Sequence, residues 1–178
     1  MTMRLCFGID PGATGAIAAL ADGDAVAVID MPMYTVKDQS EVDALAIARF
    51  MREQMSAHSG AYVSACIERV RAMPAGRNGD GSPRKQGAQT MFVFGDNYGK
   101  VKAVLEMLRI PYTRAEPQSW KRHYRLIGGD KDAGRMVALL RFPAIAHLLM
   151  RKKDHGRADA ALIGLYHDSL EIREASAA

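Results

Sequence analysis

Arg4-Leu5-Cys6-Phe7-Gly8-Ile9-Asp10-Pro11-Gly12-Ala13-Thr14-Gly15-Ala16-Ile17-Ala18 decides how the chain is read. An apolar run ends in one carboxylate, Asp10, a Pro-Gly turn follows, and a second apolar run begins. Pro11 pre-sets φ for the first turn position, and Gly12 is able to take the positive φ that a type II turn needs next. Asp10 is therefore expected to end a buried strand at a sharp reversal. A buried carboxylate is costly unless it is paired or binds a cation. Other stretches supply candidate partners: Glu68, closing Tyr62-Val63-Ser64-Ala65-Cys66-Ile67-Glu68, and the late segment Lys153-Asp154-His155-Gly156-Arg157-Ala158-Asp159-Ala160.

Outward from that stretch, residues 3–10, 14–20 and 25–31 read as an antiparallel meander with a second turn at Asp22-Gly23-Asp24. A polar connection over residues 35–40 leads to Ser40, placed to cap a helix over about 41–57. Residues 62–70 return from that crossover as a strand parallel to the first. Segments 89–109, 117–124, 130–141 and 155–173 read as helices, and 111–115 as a fifth strand. The expected class is α/β: a five-stranded mixed sheet, with a three-stranded antiparallel meander plus two parallel strands, and helices on both faces.

Strand alternation puts Cys6, Gly8 and Asp10 on one face, and likewise Ser64, Cys66 and Glu68. If the strands are parallel neighbours ~4.8 Å apart, Asp10 and Glu68 can reach one ion beyond the strand ends. His155 and Asp159 are four apart and share a helix face, while Ala158, Leu162, Leu165 and Tyr166 mark the side packed on the sheet. Such a set, mostly carboxylate, suits magnesium or manganese rather than zinc. Each residue also has a plainer job open to it. Asp10 can simply form the turn, Glu68 can pair with Arg69 or Arg71, and Asp154 or His155 can be an N-cap.

At 178 residues, with 48% hydrophobic and 25% charged positions, the chain reads as one soluble globular domain over 1–178. It holds no apolar run of membrane-spanning length and no charged-then-apolar leader, so no membrane partner is expected, and the cytoplasm is the expected location. Cys6 and Cys66 lie in apolar runs without zinc spacing and read as buried free thiols. The net charge of +4 matters through its placement. Arg71, Arg77, Arg84 and Lys85 interleave with glycines and prolines directly after Glu68, and Lys121, Arg122 and Lys131 follow later. These are the expected phosphate contacts, with solvated surface charge as the alternative. Gly95, Gly99 and Ala103, four apart, leave a bare helix stripe, for close packing on the sheet or against a two-fold partner helix.

In order along the chain, Gly8-Ile9-Asp10-Pro11-Gly12-x-x-Gly15, Ile67-Glu68 and the terminal Ala158-Asp159-Ala160 helix resemble the RuvC family of Holliday junction resolvases. Met91-Phe92-x-Phe94-Gly95, Pro117-Gln118-Ser119-Trp120-Lys121 and Gly128-Gly129-Asp130-Lys131 resemble further elements of that family, and the likeness is greatest to its phage-type members. The resemblance implies a ribonuclease H-like fold and a crossover junction endodeoxyribonuclease. It implies Asp10, Glu68, His155 and Asp159 as ligands to two magnesium or manganese ions. It also implies paired nicks leaving 5′-phosphate and 3′-hydroxyl ends, Lys121 and Lys131 near DNA, a homodimer, and a bacterial or phage-infected cell. The family's pattern has an acid where His155 stands, so Asp154 is the alternative fourth ligand; imidazole there would favour manganese. Whether a branch-migrating helicase accompanies the protein is left open. A flap or branched-DNA nuclease of the same fold is the nearest rival, and a non-catalytic DNA-binding protein a further one. An actin-like ATPase, whose phosphate loop the first turn partly fits, needs two domains, more than 178 residues supply.

Overall fold

The computed structural model describes residues 2–37, 39–71, 88–130 and 132–177. Period-two alternation in the apolar runs sets its layers. β1 (Arg4–Asp10), β2 (Ala16–Ala21) and β3 (Asp24–Asp30) form the antiparallel meander. Asp22 and Gly23 turn between the last two with φ of 48° and 85°, the paired positive values a tight hairpin demands. A separate two-stranded hairpin, β4 (Met33–Val36) with β5 (Gln39–Val42), precedes α1 (Ala44–Ala57). Next come β6 (Tyr62–Glu68), α2 (Ala88–Met107), β7 (Tyr112–Ala115), α3 (Pro117–His123), α4 (Ala133–Arg141) and α5 (His155–Ala177). The sheet order is β3-β2-β1-β6-β7, with β6 parallel to both its neighbours. This is the expected five-stranded mixed sheet. Leu5, Phe7, Ile9, Ile17, Ala65 and Ile67 face α1 and α2, whereas Ala16, Ala18, Leu20 and Cys66 lie under α3, α4 and α5. Helices therefore cover both faces. Each fully buried leucine or isoleucine contributes about 1.5–3 kcal/mol. Among the described residues no helix is long and apolar enough to cross a membrane.

Three local expectations fail for identifiable reasons. The polar connection over 35–40 is the β4–β5 hairpin instead. It is mostly exposed on both sides, so it carries no alternation to read. α1 is capped by Asp43, whose carboxylate accepts from the Ala46 N–H at 2.9 Å, and Ser40 sits in β5. Gly12 is not among the residues with positive φ. The first turn is closed by the Asp10 carboxylate accepting from the Gly12 N–H (3.3 Å) and by the Gly15 N–H donating to the Gly12 carbonyl (2.9 Å). Cys6 and Cys66 are free and buried, as read, and burial pushes both thiols up, Cys66 to about 11.

Glycines let α5 lie almost on the backbone of β1. A Cβ at Gly8 would stand 2.0 Å from the Ala160 carbonyl oxygen, and one at Gly164 would stand 3.2 Å from the Gly8 backbone. At the start of the same helix a Cβ on Gly156 would meet the Thr14 carbonyl at 2.4 Å. At Gly8 and Gly156 only hydrogen fits. Arg157 adds a strut: its guanidinium donates to both Asp30 oxygens at 2.6 Å and to the Leu148 carbonyl at 3.1 Å. The first turn of α5 is thereby held against the end of β1.

Candidate metal centre

Parallel register carries Asp10 and Glu68 to one place. Ile9 pairs with Ile67, so the next residues, Asp10 and Glu68, end adjacent strands about 4.8 Å apart. Asp159 arrives from α5, in the turn that Gly156 presses onto the first loop. The Asp159 carboxyl is pushed up to about 7, first by burial and then by the negative charge of Asp10, with Glu68 adding to it. Asp10 and Glu68 are themselves raised, each mainly by burial. Lys121 opposes the rise at all three carboxyls and His155 at Asp10 and Asp159.

A raised folded pKa means that protonation favours the fold. The unfolded side chain titrates near 3.8, so the contribution of Asp159 is complete below that pH and is lost as pH rises through about 7. Asp10 and Glu68 act in the same direction. Without divalent cations, the melting temperature is expected to fall between about pH 5 and pH 8, and Asp159→Asn to flatten that slope. Thermal melts of both proteins across this range check the sign.

The remaining residues of the late segment have distinct places. The Asp154 carboxylate is buried and committed to Arg151, accepting from its backbone N–H at 2.8 Å and from its guanidinium at 2.8 Å. That pairing holds its pKa below the usual carboxylate range and makes it the cap of the turn. His155 is exposed, with Nδ1 3.4 Å from the Lys152 carbonyl, and its charge is felt at Asp10 and Asp159.

Glu68 is oriented by a residue that the sequence marked only as part of a motif. The indole N–H of Trp120, the fully buried residue of α3, donates to Glu68 Oε1 at 2.9 Å. Lys121, the next residue, has Nζ 5.1 Å from the Trp120 ring centroid. Among the expected phosphate contacts, Arg122 is exposed at the end of α3, and Arg71 donates to Glu116 Oε1 at 2.7 Å, beside Arg69 at 2.9 Å. Arg77, Arg84, Lys85 and Lys131 lie outside the described residues.

The donor set is hard oxygen, gathered with a single lysine and one imidazole against it, which is the chemistry that magnesium or manganese accepts. Among the described residues no three His, Cys, Asp or Glu side chains already form a cage for an ion. The cluster is one of neighbouring charges on fixed backbones, not a finished coordination shell. Asp10, Glu68 and Asp159, with exposed His155 nearby, are the candidate residues that such ions would need to draw together.

Two solved structures match this architecture along almost its full length. Thermus thermophilus RuvC has a TM-score of 0.57 and 16% sequence identity, over 97% of this chain and 97% of that one. T. thermophilus RuvC in complex with a Holliday junction substrate has a TM-score of 0.55 and 14% identity, over 96% of each chain. The chain has the RuvC fold. The resemblance to RuvC read from scattered motifs thus extends to the whole arrangement of strands and helices, at an identity where shape alone carries it. No protein-family model matches the sequence, and no curated protein sequence does.

Proposed function

We propose that the protein is a divalent-metal-dependent endonuclease that resolves branched DNA, four-way junctions above all, as a homodimer. What supports this reading is that Asp10 and Glu68 end the adjacent strands β1 and β6, and that Asp159 is near enough for both charges to act on its carboxyl, in a fold shared with RuvC. One of those RuvC structures holds a Holliday junction substrate. Bound at Asp10, Glu68, Asp159 and His155, two magnesium or manganese ions would supply Lewis-acid activation of the attacking water and charge stabilisation at the departing 3′ oxygen. The chain's own part is placement. The three carboxylates come from a rigid sheet and a pinned helix, Trp120 fixes Glu68, and Lys121 brings positive charge to where a phosphate would lie. The expected products carry 5′-phosphate and 3′-hydroxyl ends.

Two-fold symmetry would give paired cuts from two such sites. On α2, Phe92 is 73% and Met107 83% exposed, and among the described residues Cβ atoms at Gly95 or Gly99 would meet nothing within 4 Å, so the glycine stripe does not pack on the sheet. This is the face offered to the second subunit.

The test is cleavage of a synthetic four-way junction beside a linear duplex and a flap, with magnesium, with manganese and with chelator. Paired nicks in the junction alone, requiring metal, are expected; equal cutting of the flap would favour a broader branched-DNA nuclease, and binding without cutting a non-catalytic protein. Trp120→Phe keeps an aromatic ring in the core and removes the donor to Glu68. Cleavage is expected to drop about 10- to 100-fold and to recover in part at higher metal concentration, the behaviour of a lost supporting hydrogen bond.

A further inference from the structure

A cavity of about 300 Å³ lies between the edge strand β7 and the C-terminal half of α5. His167, Glu171 and Glu174 line it from α5, and Thr113 lines it from β7. Spacings of four and three put the α5 residues on one face of the helix. His167 is only 5% exposed, and its Nε2 makes no hydrogen bond although Glu171 Oε1 stands 3.2 Å away. On the other side of the ring, Nδ1 is 3.2 Å from Thr113 Oγ1. The second Glu171 oxygen accepts from the Ser64 hydroxyl at 3.1 Å, and the neighbouring Asp168 is committed to Arg4 at 2.8 Å. Glu174 is exposed, and its charge acts on the His167 ring.

We propose that this cavity holds a zinc ion between His167 Nε2, Glu171 Oε1 and the Glu174 carboxylate, with water completing the shell. The proposal is independent of the nuclease reading and concerns a site apart from the carboxylates of β1 and β6. A buried polar atom left without a hydrogen bond is costly and calls for a partner. In the tautomer that donates from Nδ1 to Thr113, Nε2 presents its lone pair beside an anionic oxygen, an arrangement that a cation between the two resolves. Ligands 2.0–2.1 Å from a tetrahedral ion stand about 3.3 Å from each other. The observed 3.2 Å is close to that spacing. Imidazole joined with carboxylate suits zinc, whereas magnesium prefers oxygen alone. Thr113 supplies the partner that a ligating histidine keeps on its second nitrogen. Glu174 has to turn inward, since among the described residues no three such side chains form a closed cage. The bound ion links His167 to Glu174 along α5 and, through Thr113, fixes that helix to the sheet edge.

Zinc affinity is measured by competition with a chromophoric chelator in excess magnesium, which competes for the sites built of oxygen alone. The wild-type protein is expected to bind one zinc ion per chain, and Asp10→Asn to bind it equally well. His167→Gln should weaken binding by about 100-fold or more, and Thr113→Val by about 10- to 100-fold. Glu174→Gln, at an exposed position, should weaken it by about 10-fold or more and leave the fold intact, so its result stands if His167→Gln fails to fold. Cobalt(II) in place of zinc should give the visible absorption of a four-coordinate ion in wild type and lose it in His167→Gln. A wild-type protein that binds no zinc under these conditions would overturn the proposal. So would zinc binding that survives His167→Gln or Glu174→Gln unchanged, or that disappears in Asp10→Asn. Zinc held at His167 in a protein that cuts no DNA defeats the nuclease reading alone, and metal-dependent cutting without a zinc site defeats this proposal alone.

Discussion

Asp10→Asn is expected to abolish cleavage of a four-way junction, by more than about a hundredfold, while junction affinity stays within about threefold. Loss of a partner that merely supports a ligand already lowers metal affinity or activity about 10- to 100-fold, so loss of a charge that, on the proposed reading, holds the metal directly should exceed it. The substitution is nearly isosteric. An asparagine Oδ1 can still accept from the Gly12 N–H, the 3.3 Å bond that closes the first turn, so the fold is preserved. Removing a negative charge beside the phosphate path favours DNA binding if it changes it at all. Nicking assays with binding measured in parallel separate the two effects. An Asp10→Asn protein cutting at more than a tenth of the wild-type rate would move Asp10 out of the centre of the site.

Gly8→Ala should cost about 3 kcal/mol or more and lower the melting temperature by roughly 6–12 °C. The added methyl group would stand 2.0 Å from the Ala160 carbonyl and 2.4 Å from the Gly164 amide nitrogen, backbone atoms that no rotamer change can clear. Helix α5 has to lift from β1, which also carries Asp159 away from Asp10. Activity is therefore expected to fall further than the loss of folded protein explains. Gly99→Ala is the contrast inside the subunit: among the described residues its Cβ meets nothing within 4 Å and alanine suits a helix better by about 1 kcal/mol, so a loss there would report packing on the second subunit instead. Calorimetric melts of the two variants compare the two positions. A Gly8→Ala protein that melts like wild type would mean that α5 does not lie on β1 as described.

Much of this arrangement was legible because buried strands announce themselves. The runs ending at Asp10 and Glu68 are apolar on both faces or alternate cleanly, and a helical crossover between them dictates parallel pairing, so their carboxylates had to end side by side. Register then gave the shared face of Cys6, Gly8 and Asp10. The β4–β5 hairpin was illegible because only its base, Val42 with Met33 beside it, reaches the core, so residues 33–42 show no alternation of buried and exposed positions. The division of labour in Asp154-His155-Gly156-Arg157 was illegible for a different reason. An N-cap, a ligand and an ion-pair strut use the same residue types, and only the packing of Arg151 on Asp154 and of Arg157 on Asp30 separates them. The bond from Trp120 to Glu68 spans 52 residues of chain, beyond any local pattern. The glycine pair Gly8 and Gly164 likewise looks like weak strand and weak helix until the two meet.

A crystal structure of the wild-type protein soaked in manganese, with anomalous diffraction recorded at the metal edge, tests the central claim most directly. Two anomalous peaks about 3.5–4 Å apart are expected, with Asp10 reaching both and Glu68 and Asp159 on either side. A manganese-saturated crystal with no peak in contact with these carboxylates, or with its ion held at another part of the surface, would contradict it.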